Sequence, residues 1–335
     1  MAMNPKRRTA MRGLLVAPVL ASAALGRGNA YAEDAAPTPS RPLLLIVPYT
    51  AGTAADTLAR LLGERLSERW SVPVVTENRA GAAGVIGTEL VAQAAPNGYT
   101  LLFTATAHGS VPAMRSKDLP FDPLRSFAPV SLLALSAFAV AVSPKMPVAT
   151  LGEFVDVVRA QPGKYSYSSP GVGGPQHLIM ELFMRETGIR MLHVPYRGTS
   201  GALTDLVAGH VQASIVSLQT AGPLAESGKL KVLAVMSDRR ASTYPDVPTL
   251  KELGLANLVV DAWYGVLAPA GTPDNIVAKI NTELDRLLKL PDVRDVLARH
   301  GLTPVGGKPE RLAGLITHEL ARWSELVKEA GIVAQ

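Results

Sequence analysis

Apolar positions in this chain alternate between short continuous runs and helical stripes. Leu43–Val47 is uninterrupted and apolar, the pattern of a strand buried on both faces of a parallel sheet. After the turn at 48–52, Leu58, Leu61, Leu62 and Leu66 keep the i, i+3, i+4 spacing of a helix opening near Ala54. Thr53 is its expected N-cap, with Asp56 as the acidic half of a capping box. Residues 73–75 and 99–103 read as further strands, the latter entering a turn of small residues at 104–110. A second block begins near Ala134 with a strand at 137–142, a helix at Leu151–Arg159 and a strand at 164–168. The glycine-rich turn 169–175 follows, then a helix burying Leu178, Ile179, Leu182 and Phe183 with Pro175 at its first position. Beyond it lie strands at 191–194, 211–216 and 231–236 and a helix at Thr199–Ala208. A strand at 259–267 leads back to the first block. Helices at 273–288, 291–300 and 309–329 close the chain, the first capped by Thr272 and the second stopped by Gly301.

Strands alternating with helices of this length predict an α/β fold with mixed, mostly parallel sheets. Both blocks repeat one device: buried strand, glycine-containing turn, amphipathic helix. Such turns line the crevice at the carboxyl ends of strands, so two blocks joined by two crossing strands place a ligand cleft between lobes. The expected division is a first lobe of 33–136 plus 261–335 and a second of 137–260. A length of 335 residues agrees with two domains.

Charge changes the picture in one region only. The formal net charge is +5, but residues 1–32 carry Lys6, Arg7, Arg8, Arg12 and Arg27 and no acid, and the rest balances 28 basic against 28 acidic side chains. A nucleic-acid surface is therefore not supported by charge. The basic start, the apolar run 14–25 and Ala30-Tyr31-Ala32 instead read as a secretory signal peptide cleaved after Ala32. Arg7-Arg8 leaves Sec and twin-arginine export both open. The mature protein is expected to be exported and to begin with a Pro/Ala-rich tether at 33–42.

With no cysteine there is no disulfide, thiolate zinc site or cysteine nucleophile. No two of the six histidines stand four apart, no acidic cluster has metal spacing, and no G-x-S-x-G elbow or P-loop lysine occurs. The glycines at 81, 84 and 87 lack the dinucleotide fingerprint. No metal, cofactor or catalytic residue is expected, and an exported hydrolase or transferase on the same scaffold is the alternative. Anion binding is better supported, because a helix N-terminus offers unpaired N–H groups and about half a positive charge. The turns at 52–55 and 171–177 each feed one. Asp56 reads as a capping acid or a ligand contact, His177 as a carboxylate donor or a packing residue. Arg197 faces either solvent or a second carboxylate, and Tyr49 and Tyr196 belong to the cleft wall or the core.

Six motifs in order carry a resemblance across the mature chain. They are V-P-Y-T-A-G-T-A-A-D-T-L-A-R at 47–60, E-N-R-A-G-A-A-G-V-I-G at 77–87, A-A-P-N-G-Y-T at 94–100, the turn and H-L step at 171–178, V-P-Y-R-G at 194–198 and L-A-P-A-G-T-P at 267–273. Together they resemble the Bug-type solute receptors, the periplasmic binding component of tripartite tricarboxylate transporters. That resemblance implies a two-lobed type II Venus-flytrap fold, non-enzymatic and monomeric. It would capture a small carboxylate (organic, amino or aromatic acid) and dock on a membrane permease or a sensor-kinase ectodomain. It also implies three ligand-contacting loops. The expected contacts are Tyr49, Gly52, Thr53, Ala54 and Asp56 in the first, and Ala105 and Thr106 in the second. Ser168, Ser169, Gly173, Gly174 and His177 supply the third, with Tyr196, Arg197 and Ser217 beside it. Four positions depart from the family pattern: Thr53 replaces a Gly, Gly174 a Ser or Thr, and Gln212 and Ser217 each an Asp. Losing those acids argues against a ligand amine and leaves aromatic, neutral and dicarboxylic acids open.

Overall fold

The computed structural model describes residues 39–115 and 118–332; the signal peptide and most of the tether read from the sequence lie outside the described residues. In chain order the first part runs β1 (Leu43–Val47), α1 (Ala54–Trp70), β2 (Val74–Asn78), α2 (Val85–Ala92), β3 (Thr100–Ala105) and α3 (Ala107–Arg115). The long β4 (Phe127–Val142) leads to α4 (Leu151–Arg159), β5 (Ser166–Ser169), α5 (Pro175–Thr187), β6 (Leu192–Pro195), α6 (Thr199–Ala208), β7 (Ala213–Ser217), α7 (Leu218–Glu226) and β8 (Lys231–Val235). The chain ends with β9 (Asp261–Pro269), α8 (Asp274–Leu287), α9 (Pro291–Arg299), β10 (Thr303–Pro304) and α10 (Pro309–Ala330).

The strands join in the order β2-β1-β3-β9-β4-β7-β5-β6, with β8 and β10 also on β4. Parallel pairing holds in the two outer ladders, β2-β1-β3 and β7-β5-β6. Every pairing made by the crossing strands β4 and β9 is antiparallel. The physical reason is connection: βαβ units build each lobe, while β4 and β9 carry the chain across and back. Along β4, Phe127 to Ala137 pair with β9, whereas Phe138 to Val142 pair with β7 and Ala139 to Val142 with β8. One 16-residue strand therefore belongs to both lobes.

Burial follows the apolar pattern. Leu58, Leu62 and Leu66 of α1, and Leu178, Ile179, Leu182 and Phe183 of α5, pack inward, each Leu or Phe contributing about 1.5–3 kcal/mol by leaving water. Three helices lie where no helix was expected. α3 occupies the supposed turn 104–110 despite Pro112, α7 carries Pro223, and α2 starts inside the glycine run. Pro273 rather than Thr272 is the N-cap residue of α8; the Thr272 hydroxyl instead donates to the Pro269 carbonyl at 2.8 Å, closing a turn.

Candidate functional site

The turn after β1 is fixed from beneath. Thr53 caps α1, its Oγ1 accepting the Asp56 N–H at 3.4 Å and donating to the Thr50 carbonyl at 3.0 Å. Asp56 is buried, and its carboxylate accepts the Gly52 N–H and the Asn78 amide, each at 2.9 Å, and pairs with Arg60 Nε at 2.9 Å. Burial alone would raise this carboxyl, but Arg60, Gly52 and Asn78 outweigh it and hold it below the usual carboxylate range. The capping acid thus reaches back one residue beyond the N-cap, to Gly52. Asn78, at the end of β2, also donates to the Tyr49 carbonyl at 3.1 Å. The N–H groups of Ala54 and Ala55, in the first turn of α1, have no intrahelical acceptor.

The turn after β5 rests on rings. His177, His193 and Tyr167 stack, with centroids 4.1 Å apart for the two histidines and 4.8 Å for His193 and Tyr167. The Gly173 N–H donates to His177 Nδ1 at 3.2 Å, so that nitrogen carries no proton. Ser169 Oγ lies 2.6 Å from His193 Nε2 and accepts the Gly171 N–H at 3.3 Å. Burial pushes both imidazoles down to about 4, and for His193 the neighbouring His177 adds to it. The rings are therefore neutral near pH 7. Pro175 opens α5 without an N–H to place, leaving those of Gln176 and His177 at the terminus.

Between the two turns lies a cleft enclosing about 730 Å³ of space, part of it open to solvent. Its wall includes the first residues of α1 (Ala54, Ala55), α3 (Ala107), α5 (Pro175, Gln176) and α6 (Thr199), and Ser217 and Thr220 at the start of α7. Each of these helix ends presents unpaired N–H groups and a partial positive charge. Among the described residues lining the cleft, Arg197 is the one charged side chain and no carboxylate occurs. Arg197 is exposed and forms no ion pair with any described carboxylate. Phe138, Tyr49, Tyr264 and several prolines supply apolar surface. The Tyr49 hydroxyl accepts the Ala105 N–H at 3.2 Å, and burial pushes its phenol up to about 12. Burial likewise raises Tyr264. Ser217 Oγ and Thr220 Oγ1 are 2.9 Å apart. Among the described residues no group of three or more His, Asp or Glu could hold a metal ion.

Of the residues expected from sequence, Tyr49, Thr53, Ala54, Ala105, Thr106, Gly174, Arg197 and Ser217 meet in this wall. The others do not line it. Asp56, Gly52, Gly173 and His177 form the supporting bonds just described. Ser168 and Ser169 are fully buried, Ser168 Oγ donating to the Ala202 carbonyl at 3.4 Å. The Tyr196 hydroxyl donates to Asp205. Gln212 accepts the Ser166 N–H at 2.9 Å, away from the cleft. Sequence reasoning missed Ala80, Gly81, Ala83 and Gly84, which line one rim. Ala82 and Ala83 there have φ of +48° and +55°, a strained conformation for residues with a side chain. The run 77–87 was the available signal; Tyr264 and Ala262, which reach the cleft through β9, left none.

Residues 58–332 match the model of a family described as tripartite tricarboxylate transporter family receptor. A solved periplasmic binding protein, BugD, is 32% identical, with a TM-score of 0.84 over 89% of this chain and all of its own. Rpa4515 of Rhodopseudomonas palustris, solved with adipate, is also 32% identical, with a TM-score of 0.85 over 88% of this chain and 99% of that one. MatC of the same organism, solved with bound malate, is 33% identical, with a TM-score of 0.82 over 86% and 99% respectively. The shared architecture is the two-lobed periplasmic-binding-protein fold.

Proposed function

The chain belongs to the tripartite tricarboxylate transporter receptor family, and from that premise we propose that it captures a small carboxylate between its lobes for uptake or sensing. The observation that carries this reading is the cleft wall: five helix N-termini and Arg197 face one space whose lining has no acid. A carboxylate entering it meets N–H donors from both lobes without any buried anion to repel it. Relatives solved with adipate and malate support the ligand class. Arg197, beyond the helix termini, favours a second acidic group on the ligand over a monoacid, and the apolar surface of Phe138 and Tyr264 favours a hydrocarbon spacer.

We place the division into lobes at 136/137 and 260/261, a reading supported to within a residue by the change of partner along β4 between Ala137 and Phe138. The protein works as a monomer in the periplasm, delivered by the signal peptide at 1–32, and its closed form docks on a permease or a sensor ectodomain. It is not an enzyme in this reading. Ser169 and His193 do form a serine–histidine pair, the feature a hydrolase would need. Ser169 is fully buried, however, and His193 is sandwiched between two rings, so no substrate reaches the hydroxyl.

Native mass spectrometry of freshly purified protein, followed by thermal unfolding across a panel of organic acids, tests the proposal. A true ligand at 100-fold excess over its dissociation constant adds about 2.7 kcal/mol of stability. Absence of any stabilising acid in the panel overturns it.

A further inference from the structure

At the rim of the cleft the two lobes touch directly. Ser200, at the start of α6, offers its N–H to Thr50 Oγ1 at 3.4 Å, and its hydroxyl lies 3.1 Å from both Thr50 Oγ1 and the Ala51 carbonyl. Thr50 stands in the turn after β1, so these bonds span 150 positions and join one lobe to the other. Beside them Gly198 has φ +154°, and a Cβ there would overlap Thr50 Cγ2. The same arrangement recurs twice along the seam. A Cβ on Gly171 would lie 3.1 Å from Ala83 N, and one on Gly173 3.1 Å from Met114 Cβ, while Ser110 Oγ donates to the Gly173 carbonyl at 3.3 Å. At three points, then, a glycine of the second lobe receives a group from the first. All these groups are neutral.

Building on the receptor reading, we propose that Thr50, Ser200 and Gly198 form a ligand-independent clasp that sets the aperture of the cleft and positions Arg197 over it. Thr50 and Gly198 also line the cleft, with Arg197 and Thr199 on either side of Gly198. Closing the clasp therefore places the guanidinium and the α6 terminus against whatever occupies the space. The clasp acts on the open–closed equilibrium, so it scales the affinity for every acid by the same factor. Charge preference stays with the helix termini and Arg197.

The chain has no cysteine, so spin labels at Glu64→Cys and Lys229→Cys, one on each lobe, report the aperture without background. In ligand-free protein, Ser200→Ala is expected to broaden the distance distribution toward longer values, and Gly198→Ala to shift it further. Adding Thr50→Ser to Gly198→Ala removes the overlapping methyl group, keeps the hydroxyl that Ser200 bonds, and brings the distribution part of the way back. Ser324→Ala, on the outer helix α10, leaves it unchanged. With succinate and adipate as probes, Ser200→Ala weakens binding of both by the same factor, about three- to ten-fold. Unchanged distances in Ser200→Ala and Gly198→Ala, or no recovery on adding Thr50→Ser, overturn the clasp. So does unequal weakening of the two acids. If wild-type protein binds neither acid, the dicarboxylate reading fails, and the ligand-free distances still decide the clasp.

Discussion

In the first lobe the turn after β1 is tied down by a buried carboxylate with charged and polar partners on every side. In the second lobe the corresponding turn after β5 rests on a stack of neutral rings. Both deliver a helix terminus to the same cleft, and both use small residues at the surface, yet their supports titrate in different ranges. Asp56 is held below its ordinary value of 3.8, so its contribution is intact above that value and lost only as the pH falls through the lowered one. His177 is depressed from 6.5 to about 4. Its contribution is intact above 6.5 and drains away as the pH falls from there toward 4, because the unfolded chain takes up a proton that the folded site refuses. Acidification therefore undermines the second turn first.

Removing the charged support has the largest effect. Asp56→Ala leaves the Gly52 N–H, the Asn78 amide and Arg60 without their acceptor, and costs about 3 kcal/mol in denaturant unfolding at pH 7. The neutral support shows itself through pH. Wild-type protein loses roughly 2–3 kcal/mol between pH 6.5 and 4.5 on account of His177, whereas His177→Gln, whose amide oxygen can still accept from Gly173, loses that much less over the same range. Equal acid sensitivity in the two proteins would remove His177 from the account. The smallest effect is at the cap: Thr53→Ala forfeits one bond to the α1 terminus, about 1 kcal/mol.

The contrast also shows what a sequence discloses. Two helices were legible to the residue: α4 and α6 begin and end where the sequence places them. The three unforeseen helices all carry local signals that argue against a helix. Pro112 and Pro223 sit inside α3 and α7, and α2 follows a left-handed glycine at Gly84; packing of α2 and α7 on the sheet and of α3 on α10 outweighs those penalties. The first half of β4 was missed because Pro129 interrupts it. At the cleft, the residues foreseen are those adjacent in sequence to a strand–turn–helix unit. Ala262 and Tyr264 arrive from β9, outside any strand–turn–helix unit, and only the fold brings them to the cleft. Half of the polar residues expected at the ligand lie outside the cleft lining, among them Asp56, Ser169 and His177, which shape the turns.

The central claim is that backbone N–H groups of both lobes share one carboxylate-bearing ligand. Titrating adipate into 15N-labelled protein while following individual amides tests it most directly. The account predicts that Ala54 and Ala55 of α1 and Gln176 and His177 of α5 shift together along one saturating curve. Saturable binding that leaves the amides of either helix terminus unmoved would contradict it.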